Sequence, residues 1–205
     1  MQKTFYIIDD HEMIRSGTTA FLESNSDWKG CGNTGSGEEA LADLDRLSQE
    51  GALPSVIICD LNFCGEDTGF VLMKRINDRY PSQKVVVYSM FFSPGDVQKA
   101  IECGAAGYVS KIASCSELLL CLEQVAGGGT FIQGALQEKL EQFTSFTAAL
   151  TRREKEVMDL LLRKKNNDEI AGLLNMKKRV VDNYISSIYD KTGLNDRNEL
   201  IRRFG

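Results

Sequence analysis

The chain reads as an α/β protein: a five-stranded doubly wound parallel sheet in the order 2-1-3-4-5, followed by a small all-α unit of four helices. Three observations carry that reading. Short apolar runs alternate with stretches of helical period, the pattern of buried strands joined by crossover helices. Four of those runs end in polar, mostly chargeable residues: Ile7-Ile8-Asp9-Asp10, Val56-Ile57-Ile58-Cys59-Asp60, Val85-Val86-Val87-Tyr88-Ser89 and Gly107-Tyr108-Val109-Ser110-Lys111. Charge also divides along the chain. Residues 1–146 hold 11 Lys/Arg against 20 Asp/Glu, a balance of −9, and residues 147–205 hold 13 against 9, a balance of +4. An acidic front and a basic tail predict two domains with different partners, the tail favouring polyanions.

The first strand covers about residues 4–9 and leads into a helix through Met13, Ile14 and Phe21-Leu22. A second strand lies near Trp28–Asn33, diluted by Gly30 and Gly32. The second helix begins near Glu38 and ends before Gly51. The third strand ends at Asp60, and the helix after it, about Phe70 to Tyr80, is stopped by Pro81. The fourth strand ends at Ser89, and Ser93-Pro94-Gly95-Asp96 is a helix start with proline in the first turn. The fifth strand is short, and Ser114 with Glu117 forms a capping-box signature for the helix that follows.

Gly127-Gly128-Gly129 ends that helix, and a polar, Gln-rich connector runs to about residue 146. The tail is helical throughout. Thr151-Arg152-Arg153-Glu154 is a second capping box leading into Val157, Leu160, Leu161 and Leu162. Asn167 caps a short helix with Asp168-Glu169 in its first turn. After a turn at Asn175-Met176, a third helix carries Val181, Tyr184, Ile185 and Ile188, and a fourth starts near Arg197. Two short helices joined by a tight turn in a basic unit form the helix-turn-helix pattern.

Composition adds exclusions. No apolar run approaches the roughly 18–20 residues needed to span a bilayer, and the amino terminus enters a strand without a signal-peptide layout. The six cysteines show no paired metal-ligand spacing, and one histidine cannot complete a Cys/His zinc site. Free thiols in a cytoplasmic setting are the simplest reading.

In a flavodoxin-like sheet the first and third strands lie side by side at the switch point, where ligands bind beyond the carboxyl ends. Asp9, Asp10 and Asp60 would then surround one cation. Hard oxygen ligands suit Mg²⁺, and carboxylates so crowded repel one another without a cation between them. Lys111 would meet one phosphoryl oxygen and Ser89 another. A hydroxyl drawn toward phosphate leaves a space that the Tyr108 ring could fill. The expected chemistry is formation of an aspartyl phosphate on Asp60. His11, beside the acid pair, reads as a loop residue, and Cys59 and Cys64, flanking Asp60, as buried small hydrophobes.

These motifs resemble a two-component response regulator of the NarL/FixJ type, a receiver over about residues 3–127 joined to a LuxR-type helix-turn-helix over about 147–205. The receiver resemblance implies Asp9 and Asp10 as the acidic pair (Asp10 the more direct metal ligand), Asp60 as the phosphoacceptor and Asn62 as a metal ligand through its backbone carbonyl. It implies Ser89 and Tyr108 as the switch pair and Lys111 as the phosphate-contacting lysine. The tail resemblance rests on Leu150-Thr-Arg-Arg-Glu-Lys-Glu-Val157, Asn167-Asp-Glu-Ile-Ala171 and Lys191-Thr-Gly-Leu194. It implies double-stranded DNA as a partner, a sensor histidine kinase as phosphoryl donor and a homodimer on activation. The resulting division is a receiver, 1–127, a linker, 128–146, and a DNA-binding domain, 147–205. Such a chain is not an enzyme beyond slow loss of its own phosphate.

Two places depart from the resemblance. Phe63-Cys64 stand where the family usually has Met-Pro, and Met90 and Phe91 follow Ser89, where bulk is expected to slow phosphoryl uptake and hydrolysis. The recognition helix begins Lys177-Lys178-Arg179-Val180-Val181-Asp182-Asn183-Tyr184, with acidic Asp182 where the family has a basic residue. Lys177, Lys178, Arg179, Asp182, Asn183 and Ser186 are its candidate DNA contacts. Three cations at a helix amino terminus oppose its dipole, a conflict that DNA phosphates relieve. Asp182 can accept from cytosine N4 but is repelled by phosphate. The alternative is a phospho-switched module whose tail binds protein. A phosphohydrolase with an aspartyl nucleophile would carry a second Asp where Asn62 stands. A nucleotide binder would not place an Asp pair after its first strand.

Overall fold

The computed structural model describes residues 3–63, 68–90 and 93–204. Cys64 and Phe91 lie outside the described residues. The β-branched and aromatic runs become strands: β1 (Thr4–Ile8), β2 (Lys29–Thr34), β3 (Val56–Cys59), β4 (Val85–Ser89) and β5 (Ala105–Ser110). Between them run α1 (Glu12–Asn25), α2 (Gly37–Gln49), α3 (Thr68–Arg79) and α4 (Pro94–Glu102), with α5 (Cys115–Ala126) following β5. Every strand pairing is parallel. The strand order is β2-β1-β3-β4-β5-β6, the expected order extended by one strand, β6 (Phe131–Ile132).

Strand β6 corrects the five-stranded expectation. At two residues it is too short to carry periodicity, and it follows a glycine run that reads as a chain break. Backbone contact holds it to β5: the Gln133 amide donates to the Tyr108 carbonyl at 3.1 Å. The Gln133 Oε1 also accepts from the Ser110 amide at 3.1 Å.

Both faces of the sheet are covered, as its apolar strands require. On one face Phe5, Ile7, Val56, Ile58, Val86, Tyr88 and Val109 pack with Leu22 and Trp28 and with Leu118, Cys121, Leu122 and Val125 of α5. Alternation sends the next residues to the opposite face. Tyr6 there donates to Asp43 of α2 at 2.6 Å.

The expected linker over 128–146 is also corrected. It is β6 followed by α6 (Gly134–Phe146). Polar residues dominate α6, but Leu136 and Phe143 are buried, and Phe143 meets Phe204 edge-on at 5.2 Å between ring centroids. The described residues fall into two compact units, divided in the main between Gly134 and Ala135. Helix α6 therefore belongs to the second unit.

That unit continues with α7 (Arg152–Leu162), α8 (Asn167–Leu173), α9 (Lys178–Thr192) and α10 (Arg197–Phe204) around Val157, Leu161, Ile170, Val181, Ile188 and Leu200. The Thr151–Glu154 capping box is present in both directions. The cap of α8 is Asn166 rather than Asn167: its side chain accepts from the Asp168 and Glu169 amides, and Glu169 returns to the Asn166 amide. Two adjacent asparagines satisfy the same local pattern, and only backbone geometry separates them. Lys177 caps α9 without a side-chain bond, as its chemistry predicts. Gly193, at φ 71°, ends α9 in the left-handed conformation.

Candidate functional site

The sheet delivers its polar residues to one rim because parallel strands all end on the same side. Asp9 directly follows β1, and its amide donates at 3.0 Å to the carbonyl of Thr34, the last paired residue of β2. Asp60 directly follows β3, with its amide donating to the Ile8 carbonyl at 2.9 Å. The Lys111 amide donates to the Ser89 carbonyl at 2.9 Å, which brings the ends of β4 and β5 together.

The side chains then converge. Lys111 Nζ lies 2.6 Å from Asp9 Oδ2 and 2.6 Å from Asp60 Oδ2, and all three side chains are almost fully buried. The other oxygen of Asp60 accepts from the Leu61 amide at 2.6 Å and lies 3.4 Å from that of Asn62. The carboxylate is thus held at both ends. Asp10 is exposed beside the pair. Ligand atoms of Asp9, Asp10, His11 and Asp60 lie within 4.8 Å of one another. Three carboxylates face one ammonium here, so the cluster carries an excess of negative charge that a divalent cation would neutralise. The oxygen-rich donor set fits a hard cation.

His11 belongs to the cluster although its place in the sequence reads as plain loop. Its Nδ1 is 2.7 Å from Asp10 Oδ1 and 3.3 Å from Asp9 Oδ1, and its amide donates to Asp9 Oδ1 at 2.9 Å. Arg15 is a further member that the sequence motifs do not mark: it reaches back from α1 to the Asp9 carbonyl at 2.7 Å and to Asn33 Oδ1 at 2.9 Å. The signal for both is proximity in sequence to the acid pair. Ser89 is fully buried at the end of β4, in register with Ser110. Tyr108 pairs with Val87 and is fully buried, and burial, with Asp96 and Asp60 nearby, raises its phenol. Met90 is 55% exposed at the rim. Burial pushes the Cys59 thiol well above its ordinary value, in keeping with a small core residue rather than a reactive thiol.

The second group of expected residues lies on α9. Lys177, Lys178, Arg179, Asp182, Asn183 and Ser186 are all exposed. Two of them are held against α8. Lys178 Nζ is 2.7 Å from Asp168 Oδ2, and Asp182 Oδ1 accepts from Asn167 at 2.7 Å, so both are engaged with α8.

Comparison with known proteins gives a family match for each part of the chain. The response regulator receiver domain family matches residues 5–123, and the luxR family of bacterial regulatory proteins matches residues 148–204. The chain belongs to the response regulators. It is 32% identical over 200 residues to the transcriptional regulatory protein DesR of Bacillus subtilis (strain 168), covering 98% of this chain and 95% of that one. It is 26% identical over 198 residues to the response regulator protein VraR of Staphylococcus aureus (strain NCTC 8325 / PS 47), covering 95% and 92%. Among solved structures, RcsB from Salmonella enterica serovar Typhimurium, bound to a promoter in the presence of the phosphomimetic BeF3−, superposes with a TM-score of 0.70. That match has 23% identity and covers 99% of this chain and 98% of that one. A structure of two RcsB dimers bound to two parallel DNAs gives 0.71 at the same identity and coverage. At that identity the likeness concerns the fold. The response regulator assignment gives the strand-end cluster its family context, a receiver's acidic pocket. Among the described residues no helix is long and apolar enough to cross a membrane.

Proposed function

We propose that this response regulator is a phosphorylation-controlled, DNA-binding transcription regulator whose Asp60 accepts a phosphoryl group from a sensor histidine kinase. The observation that carries this reading is the buried Lys111 ammonium, 2.6 Å from both Asp9 and Asp60 at the rim of the sheet. Asp9, Asp10 and Asp60 would hold Mg²⁺, with the Asn62 backbone carbonyl as a further ligand. When bound, the ion supplies charge that screens the carboxylates from an incoming phosphoryl group.

Asp60 supplies the nucleophilic oxygen. Its attack on phosphorus forms a P–O bond as the P–N bond to the donor imidazole breaks, and the electron pair leaves on the imidazole nitrogen. Lys111 then pairs with a phosphoryl oxygen. Doing so draws the ammonium from the carboxylates it now bridges. Ser89 contributes a hydroxyl at the next strand end, and Tyr108, on the neighbouring strand, answers its movement. Turnover is limited to hydrolysis of the chain's own acyl phosphate. The output is a homodimer that presents two α9 helices to adjacent half-sites.

The test compares wild type with Asp60→Asn, each with Mg²⁺ and beryllofluoride. Light scattering reads oligomeric state, and retention on duplex DNA across a salt series reads binding. Wild type responds in both and Asp60→Asn in neither; identical responses from the two proteins would remove Asp60 from the switch. A tail that shows no salt-dependent retention would favour a protein partner for the second unit.

A further inference from the structure

Two stripes of polar residues run along the exposed side of α9. Arg179 and Asn183, spaced four apart, form one; Lys178 and Asp182, spaced four apart, form the other; Ser186, three from Asn183 and four from Asp182, lies between them. The second stripe is occupied. Asp182 Oδ1 accepts from Asn167 Nδ2 at 2.7 Å, and Asn167 Oδ1 accepts from Arg197 Nη2 at 2.9 Å. These partners orient the Asn167 amide, because a flip would set its oxygen against a carboxylate and its amino group against a guanidinium. One short side chain thereby ties together α8, α9 and α10. Lys178 adds a second link from α9 to α8 through Asp168 at 2.7 Å.

We propose that Asp182 is a positioning residue: through Asn167 it sets α9 against α8, and base recognition falls to Arg179, Asn183 and Ser186. This rests on the reading that the second unit binds DNA. A carboxylate on the recognition helix repels phosphate, so as a DNA contact Asp182 costs affinity. As the acceptor that orders Asn167 it limits the angular freedom of the helix that enters the groove. An error of about 1 Å there is felt at every base the helix reads.

The experiment uses the full chain and a pool of random-sequence duplexes enriched on wild type. Asp182→Asn retains a side-chain oxygen for Asn167 and loses the negative charge. It binds the enriched duplex at least as tightly as wild type and selects the same sequence. Asp182→Ala and Asn167→Ala each lose about three- to tenfold in affinity, the scale of one hydrogen bond. The double variant loses no more than Asn167→Ala alone, since that change already removes the bond to Asp182 together with the one from Arg197. In the DNA-free protein, the Asn167 side-chain amide resonances keep their dispersion in Asp182→Asn and collapse toward the free-amide position in Asp182→Ala. A change of preferred base at one position in Asp182→Asn, with none in Asn167→Ala, would make Asp182 a base reader and overturn the proposal. Additive losses in the double variant would do the same. Wild type that enriches no duplex overturns the DNA reading, and the amide resonances alone then decide whether the brace exists.

Discussion

Lys111 Nζ sits 2.6 Å from Asp60 Oδ2, and the two side chains are only 4% and 6% exposed. A buried ammonium shared with Asp9 as well balances charge that would otherwise be unpaired. Replacing it strands two buried carboxylates, and breaking such a pair from one side costs about 3–5 kcal/mol. Lys111→Ala is therefore expected to lower stability by about that amount in chelator, and by distinctly less in excess Mg²⁺, which restores positive charge to the cluster. Urea unfolding of both proteins in both buffers measures it. Equal losses in the two buffers would mean that no divalent cation reaches these carboxylates.

Gly69, in the first turn of α3, packs against the backbone at the end of β3. Its amide donates to the Leu61 carbonyl at 2.9 Å, and a Cβ there would stand 2.5 Å from the Asp60 carbonyl oxygen and 2.5 Å from the Leu61 Cα. Both are backbone atoms, so the side chain cannot rotate the clash away. Gly69→Ala is expected to cost about 1–3 kcal/mol as an overpacked site and to slow acyl phosphate formation from acetyl phosphate, read by intact mass. Phosphorylation at the wild-type rate would show that the strand end tolerates displacement.

The receiver site is legible in the sequence because strand ends advertise themselves: Asp9, Asp60, Ser89 and Lys111 each close an apolar run, and parallel topology does the rest. What the sequence hides depends on distance along the chain or on brevity. Two residues of β6 carry no period. Helix α6 places its few apolar residues among glutamines and glutamates, and only its packing on Phe204 identifies them as core. Asp182 reads as a partner for bases or an obstacle to phosphates because its actual partner, Asn167, lies fifteen positions away. No local pattern encodes that bond.

The α8 cap separates two neighbouring asparagines by function. Asn166 accepts from the Asp168 and Glu169 amides at 3.0 Å each, whereas Asn167 points to Asp182 and Arg197. Asn166→Ala is expected to lose about 1 kcal/mol of stability, and Asn166→Asp to retain most of it. Asn167→Asp should instead disturb the contact with α9, since a carboxylate cannot donate to Asp182. Thermal unfolding of the three variants ranks them; equal effects at 166 and 167 would contradict the assignment of the cap.

The cations of α9 are not equivalent. Lys178 is paired with Asp168, while among the described residues no ion pair engages Lys177 or Arg179. Each phosphate that a cation neutralises adds close to one unit to the slope of log affinity against log salt. Lys177→Ala is expected to lower that slope by about one unit for each phosphate the variant no longer meets. Lys178→Ala should change it less, because the lysine must leave Asp168 to meet DNA. Fluorescence anisotropy on one duplex across a salt series distinguishes them, and a larger change for Lys178 than for Lys177 would contradict the pairing.

Glu154 couples the stability of the second unit to pH. Burial pushes its carboxyl up, but donors outweigh burial: Lys191 Nζ at 2.7 and 2.8 Å, Ser187 Oγ at 2.6 Å, and the Thr151 amide and hydroxyl at 2.7 and 2.8 Å. The net effect is a carboxyl lowered to about 2 from its ordinary 4.5. A depressed folded value means that the folded state prefers the ionised form. The contribution is therefore whole above about pH 4.5, where the unfolded group is also ionised, and shrinks as pH falls toward 2. Glu154→Gln keeps the shape but lacks the charge, and is expected to cost about 1–3 kcal/mol at neutral pH. Other carboxylates also titrate in acid, so the informative quantity is the difference between wild type and variant, followed by urea unfolding from pH 7 downward. That difference should hold steady to about pH 4.5 and then narrow. A difference that stayed constant through pH 3 would show that the charge of Glu154 contributes nothing and that its role is confined to capping α7.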